Sequence, residues 1–581
     1  MKRLRKRLQA ADSQHDASSS MNDAAPPNPS GRFSLRRLGE GRLGEIFGID
    51  LRSLALFRIG LGFVVLLDLF QRAMSLEAHY TDAGVLPRGT VISTLNEWRW
   101  SVLFANGGLT FQALMFLLTA TAAILLMVGF RSRLMTCILW VMVISIQVRN
   151  PLLSSGADTL IRLLLFWSMF LPLGARWSID SAWERARTAV KPLRAFSFGS
   201  AGLLLQIALM YWFTALLKTG APWWSEGSAL YYALGAGQVT RPSSEFLLQF
   251  PTLLRVLTHA TMVLEYVAPA LLFVPFMFGP VRTLATASLI AFHFGIFLTM
   301  DFGVFSWAGA LSMACFLPAW FWDVLLPRVN ASLPKRFGKL RQQGANVVRP
   351  AIHAISTARS GRTLPSRNLP GVSGADHDDP TAPEEHPSFA SAPGSGKRGE
   401  KLLTGSRLGN LLAACCIVFV IAWNISTVSA FTVPKDYQPV AYGMALYQRW
   451  SMFAPRPPSA TQWYVVRGEL ADGQEVDLLA PLMRGDINHV VFLSWDRPDN
   501  IVNGHYGDKS WRKYIEAIGR SGRSAERMRF AAYACRTWND TYAGDVALEH
   551  VELYRLTQRT MLDGSEAEIN RTLVDDFDCI R

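Results

Sequence analysis

Apolar residues in this chain gather into long runs near 53–72, 109–130, 133–149, 158–174, 199–218, 256–278, 280–300, 303–322 and 408–430. Most approach the ~20 residues that carry a helix across about 30 Å of hydrocarbon. The pattern predicts an all-α polytopic membrane protein of about nine transmembrane helices, its third and fourth runs short enough to be tilted, buried or re-entrant. Residues 1–48 are basic and aperiodic and read as a disordered N-terminal arm. Residues 49–325 hold about eight of the helices. The stretch 326–407, which contains "HDDPTAPEEHPSFASAPGSGKRGEK", reads as a disordered cytoplasmic linker, and 408–430 as the final crossing. From 431 to 581 the period changes. "TQWYVVRGEL" alternates, "ADG" is a turn and "QEVDLLAP" returns, which makes a hairpin. "SWRKYIEAIG" and "SAERMRFAAYACRTWN" have helical spacing, and "LEHVELYRLTQRT" alternates again, so this end is expected to be a small α+β extracytoplasmic domain.

Half of the 581 residues are apolar and 11% aromatic, but the runs matter more than the average. A formal charge of +13 suggests nucleic acid until its distribution is considered. The basic residues sit beside the apolar runs, in "MKRLRKRL", "FRSR", the stretch 185–194, the turn at Arg282 and the segment from Arg328 onward. Such loops orient membrane helices, so the expected partner is membrane lipid and not nucleic acid. The alternation predicts a multi-pass protein of the cell inner membrane, with a cytoplasmic N-terminus and a periplasmic or extracellular C-terminal domain. The basic start runs into a long polar stretch, which does not read as a signal peptide. Six cysteines are too scattered for a disulfide scaffold; Cys535 and Cys579 pair if their compartment is oxidising and otherwise stand as free thiols. The histidines lack ligand spacing, and no metal site is expected.

Ionisable groups in or beside the apolar runs cost at least ~2.5 kcal/mol each at mid-membrane, which makes them functional candidates. They are Arg58, Asp68, Asp158, Arg162, Lys218, His259, Glu265 and His293. Arg58 lies toward the inner end of its helix, where its stem can snorkel to the headgroups. The others fall in the outer half or near mid-depth, as expected of a polar cavity open to the outer face, with Glu265 and His293 deepest. Asp158 and Arg162 are also spaced for an i, i+4 salt bridge. Asp68 and His259 lie close enough to helix ends for interfacial placement.

Lys218 closes "LLLQIALMYWFTALLK", with Tyr211 and Thr214 at i−7 and i−4 on the same face, and precedes "TGAPWWSEGSALYYAL". Lysines at this position commonly anchor helices to the interface. The other reading is a desolvated amine in an apolar pocket walled by Trp223 and Trp224, where burial disfavours the charged form and makes a base.

The segments "LFRIGLGFVVLLDLFQR", "HYTDAGVLPR", "FWSMFLPLGARWSID", "LLKTGAPWWSEGSALYYAL", "LEYVAPALLF", "FHFGIFLTMDFGVFSW" and "YQRWSMFAPRPP" resemble the HTTM family, bacterial relatives of the vitamin K-dependent gamma-glutamyl carboxylase. The resemblance covers about 50–325 and 408–580. It implies a reduced quinone, such as vitamin K hydroquinone, as cofactor or substrate. It also implies quinol-dependent oxygenase or carboxylase-like (lyase) chemistry in which Lys218, by its place in the motif, deprotonates the quinol. Where the carboxylase carries a functional histidine, this chain has Ala157 or Asp158, so quinol chemistry is implied more firmly than chemistry at a glutamate; no peptide or protein substrate is evident. A non-catalytic lipid- or quinone-binding protein, or a scaffold, is the alternative expectation.

Overall fold

The computed structural model describes residues 35–185, 193–332, 405–484, 492–501 and 505–579. Most of the expected arm and linker lies outside these residues. Of the parts that are described, Leu35–Phe47 and Leu326–Ser332 are helical. In "LRRLGEGRLGEIF" the apolar residues already recur at helical spacing, and the basic composition hides it.

In chain order the helical part consists of α1 (Leu51–Ala73), α2 (Leu109–Val128), α3 (Ser132–Arg149), α4 (Gly156–Ser168), α5 (Phe198–Leu217), α6 (Pro251–Leu271), α7 (Phe278–Thr299), α8 (Phe305–Ser312) and α9 (Arg407–Ile425). Each apolar run is helical. Among the described residues six helices (α1, α2, α3, α5, α7 and α9) are long and apolar enough to cross a membrane, and a seventh span results if the segment begun by α8 is joined to Phe321–Val329 across a bend of 89°. The expectation of nine goes beyond that. Helix α4 has only 13 residues, roughly 20 Å of rise, and every residue from Leu160 to Ser168 is buried in protein. Helix α6 is long enough, but Arg255, His259 and Glu265 interrupt its apolar surface and Pro269 sits inside it.

Local sequence explains the helix boundaries. Asp50 caps α1 by accepting from Arg52 N at 2.8 Å. Ser197 and Ser200 cap α5 reciprocally. At the end of α2, Gly129 takes φ 72°, and a Cβ there would come within 2.3 Å of the Arg58 guanidinium. That contact corrects the reading of Arg58 as a snorkelling residue. It is fully buried and donates to the carbonyls of Leu173, Met127 and Trp177, filling orphan acceptors at helix and turn ends.

After α9 the chain forms a four-stranded antiparallel sheet from β1 (Ala460–Leu470), β2 (Glu475–Asp477), β3 (Leu548–Thr560) and β4 (Glu566–Asp578), in the order β2-β1-β3-β4. The expected hairpin is β1–β2, with Gly473 at φ 82° in its turn. Strand β4 has no strong apolar alternation in sequence because it is an edge, largely exposed and charged. Two helices, α10 (Lys509–Ile518) and α11 (Ser524–Asn539), fall where their spacing places them. A disulfide joins Cys535 of α11 to Cys579 beyond β4.

Helix α10 is the seam between sheet and bundle. Trp511, Tyr514, Ile515 and Ile518 are buried; the Tyr514 hydroxyl donates to Val85 O at 3.2 Å and Lys513 Nζ to Leu153 O at 3.2 Å. Arg512 donates to the carbonyls of Gln238 and Asp301. The described residues from Gly44 onward accordingly cluster as one compact unit.

Candidate functional site

Helices α5, α6 and α7 enclose a cavity of about 380 Å³. Much of its wall is Leu, Met, Ile and Phe, with Leu254 and Leu257 from α6 and Phe292 and Ile296 from α7. Leu257 is 38% exposed and Gly295 is exposed as well, so the lining reaches the surface of the bundle along α6 and α7. An apolar cavity with few polar groups suits a hydrophobic ligand oriented by those groups.

Four of its polar groups form two pairs. Lys218 stands at the C-cap of α5, where the helix stops before the Gly220–Ala221–Pro222 break. Its side chain is 4% exposed and Nζ donates to both carboxylate oxygens of Glu265, at 2.7 and 2.6 Å. The ring of Trp223 lies 4.2 Å from Nζ. Tyr211 and His293 form the second pair, hydroxyl to Nε2 at 2.7 Å, both buried. Thr214 lies between the pairs on the same face of α5 and also lines the cavity, its own hydroxyl donating to Met210 O.

Of the residues singled out in the sequence, the structure thus brings Lys218, Glu265, His293, Tyr211, Thr214 and Trp223 to one cavity. The rest lie elsewhere. Trp224 is 51% exposed and turns outward, its indole N–H donating to Lys218 O at 2.7 Å, so only one tryptophan walls the amine. His259 is exposed, within hydrogen-bond distance of Arg255 O and Trp224 O. Asp158 and Arg162 do not pair with each other. Asp158 binds Arg72 and closes the capping box of α4 with Ser155, while Arg162 donates to the carbonyls of Ala445 and Tyr447 and stacks on the Tyr447 ring at 4.0 Å. The i, i+4 geometry was available, but each side chain is held by partners on other elements. Asp68 accepts from Arg72 Nε at 2.7 Å and borders a separate pocket of about 30 Å³.

Sequence reasoning missed the contribution of the C-terminal part. Met452 and Phe453, and Arg512 and Lys513 of α10, complete the cavity wall. Phe453 O accepts the Trp223 indole N–H at 3.0 Å, and Pro455 O accepts from Gly220 N at 3.0 Å. The segment "YQRWSMFAPRPP" therefore holds the Lys218–Trp223 turn in place, a role visible beforehand only as part of a family motif. Burial lowers the Lys513 ammonium from the ordinary lysine value, opposed by the carboxylates of Asp158 and Asp68. Ala157, not Asp158, lines the cavity at the start of α4.

These features define a multi-helix membrane protein with a largely apolar internal cavity that holds a buried lysine–carboxylate pair. Residues 48–320 match the model of the HTTM domain, and this part of the chain is an HTTM domain. No curated protein and no solved structure matches the chain.

Proposed function

We propose that the protein acts on a quinol-like membrane lipid, with the Lys218–Glu265 pair accepting the phenolic proton. The observation that carries this reading is a lysine buried beside Trp223 and doubly bonded to Glu265 at the wall of an apolar cavity within the bundle. The resemblance to vitamin K-dependent gamma-carboxylase supplies the ligand class. Chemically, the pair works in either protonation arrangement. As ammonium and carboxylate, Glu265 takes the proton and Lys218 holds the phenolate formed. As amine and carboxylic acid, Lys218 takes it. Exclusion of water keeps the ammonium–phenolate attraction strong. Only a methyl group, that of Ala157, faces the cavity where the carboxylase has a histidine, so the proposal stops at the quinol and includes no step at a peptide glutamate.

Aerobic oxygen uptake with an added naphthohydroquinone tests it. Lys218→Arg keeps the charge but removes the proton-accepting amine, and is expected to lower uptake at least 100-fold while the protein remains folded. Full uptake in the variant would remove Lys218 from the chemistry. A second reading, a quinone- or lipid-binding protein without turnover, is favoured by the double hydrogen bond from the amine to Glu265. It predicts binding with no uptake in the native protein.

With α4 and α6 counted as crossings, the basic loops alternate and support an orientation with the N-terminus in the cytoplasm of a cell with an inner membrane, and the C-terminal sheet on the opposite side. Reporters fused after Arg581 and inserted at Gly371 are then expected to face different compartments; the same compartment for both would overturn the orientation.

A further inference from the structure

Resting on the quinol reading, we infer that the ligand is a para-quinol gripped at both of its hydroxyls, by Lys218–Glu265 at one end and by Tyr211–His293 at the other. Tyr211 and Lys218 are seven residues apart on one face of the same helix, about two turns or ~10 Å along its axis. Both side chains line the same cavity, so this offset sets the scale of the distance between the two pairs. An aromatic ring with oxygens at opposite corners, plus a hydrogen bond of ~2.7 Å at each end, has a comparable length.

The chemistry of the second pair points into the cavity. The His293 side chain is 1% exposed, and its Nδ1 has no hydrogen-bond partner among the described residues. Its ring lies against Gly309, where a Cβ would come 2.0 Å from Cε1, so the absence of a side chain at Gly309 makes room for it. A proton on Nδ1 would be a buried donor with nothing to accept it, which is costlier than an unfilled acceptor. The proton therefore belongs on Nε2, where it is donated to the Tyr211 oxygen. That leaves the hydroxyl hydrogen of Tyr211 free to donate, and Tyr211 lines the cavity. At the other end, two of the three Lys218 donors are taken by Glu265 and one remains. Two free donors, two turns apart in a largely apolar wall that Arg512 and Lys513 close on the α10 side, match two oxygens on a flat hydrophobic ring. A buried donor left unmatched by the ligand lowers its affinity.

The test compares dimethyl-para-naphthohydroquinone with the same ring bearing one hydroxyl, dimethylnaphthol, both bound anaerobically to the full-length protein in detergent and read by quenching of tryptophan fluorescence. The ratio of the two affinities is expected to favour the quinol about tenfold more in the native protein than in Tyr211→Phe. If Tyr211→Phe is not monodisperse, His293→Gln carries the same comparison, because it removes the group that orients the hydroxyl. An unchanged ratio in a folded variant overturns the two-ended grip while leaving the quinol reading intact. Failure of the quinol to bind the native protein overturns both.

Discussion

Arg72 and Lys218 are both cations buried in the helical bundle and paired with carboxylates, but what surrounds each pair differs. Every terminus of the Arg72 guanidinium is used: Nε donates to Asp68, one terminal nitrogen to the Tyr80 hydroxyl at 2.9 Å and the other to Asp158. Asp158 in turn accepts from the backbone and hydroxyl of Ser155, at 2.6 and 2.7 Å. The network joins α1 to the start of α4 and lies under the α10 seam. Lys218 instead has one carboxylate and an aromatic face, and then open cavity. Buried charge is expensive in either place. In one the protein supplies all the compensation, which makes structure. In the other some is left for a ligand, which makes a site. Burial of an ionisable group in a membrane protein thus identifies a candidate, and the completeness of its partners sorts it.

That contrast has measurable consequences. Asp158→Ala leaves Arg72 with only part of its compensation and uncaps α4, and is expected to cost about 3–5 kcal/mol in thermal or denaturant unfolding in detergent. A loss below about 1 kcal/mol would mean the network is not the structural element described.

The same seam holds His79, fully buried, packed on the rings of Trp511 and Tyr514 at 4.6 and 5.5 Å. Burial, with the nearby Arg72 charge, pushes its imidazole down to about 3 from an ordinary 6.5. Between those values the unfolded chain binds a proton that the folded one refuses. This contribution to stability is therefore complete above pH 6.5 and is lost as pH falls toward 3. From pH 7 to 4 it amounts to about 3 kcal/mol. His79→Phe keeps an aromatic contact and is expected to flatten the acid limb of the stability profile by that amount; an unchanged limb would remove His79 from the account.

The smallest effect is expected at the cavity. Glu265→Gln keeps an acceptor for Lys218, whose remaining face opens on a cavity, and is expected to cost under about 2 kcal/mol of stability while reducing quinol affinity or turnover. A stability loss as large as that of Asp158→Ala would erase the distinction between the two clusters.

Much of this was legible in the chain itself. Strand and helix periods in the C-terminal part marked β1, β3, α10 and α11 closely, because each has a buried face that writes its period into the sequence. Strand β4 left no such mark, being an exposed edge. The apolar runs marked every long helix, but not which of them are long and apolar enough to span: the short α4 owes its apolar sequence to burial in protein, which reads the same as burial in lipid.

For the candidate site the sequence determined the residue types and their spacing along one helix. Tyr211, Thr214 and Lys218 share a face of α5 because seven residues make two turns, whatever surrounds them. It could not say that Glu265, 47 positions away, would meet Lys218, or that Asp158 would choose Arg72, 86 positions away, over the arginine one turn along its own helix. Nor could it place Met452, Phe453, Arg512 and Lys513 in the cavity wall. Periodicity is a local property and survives in one dimension. The choice among several possible partners for a buried charge depends on which elements pack together, and only the tertiary structure decides it.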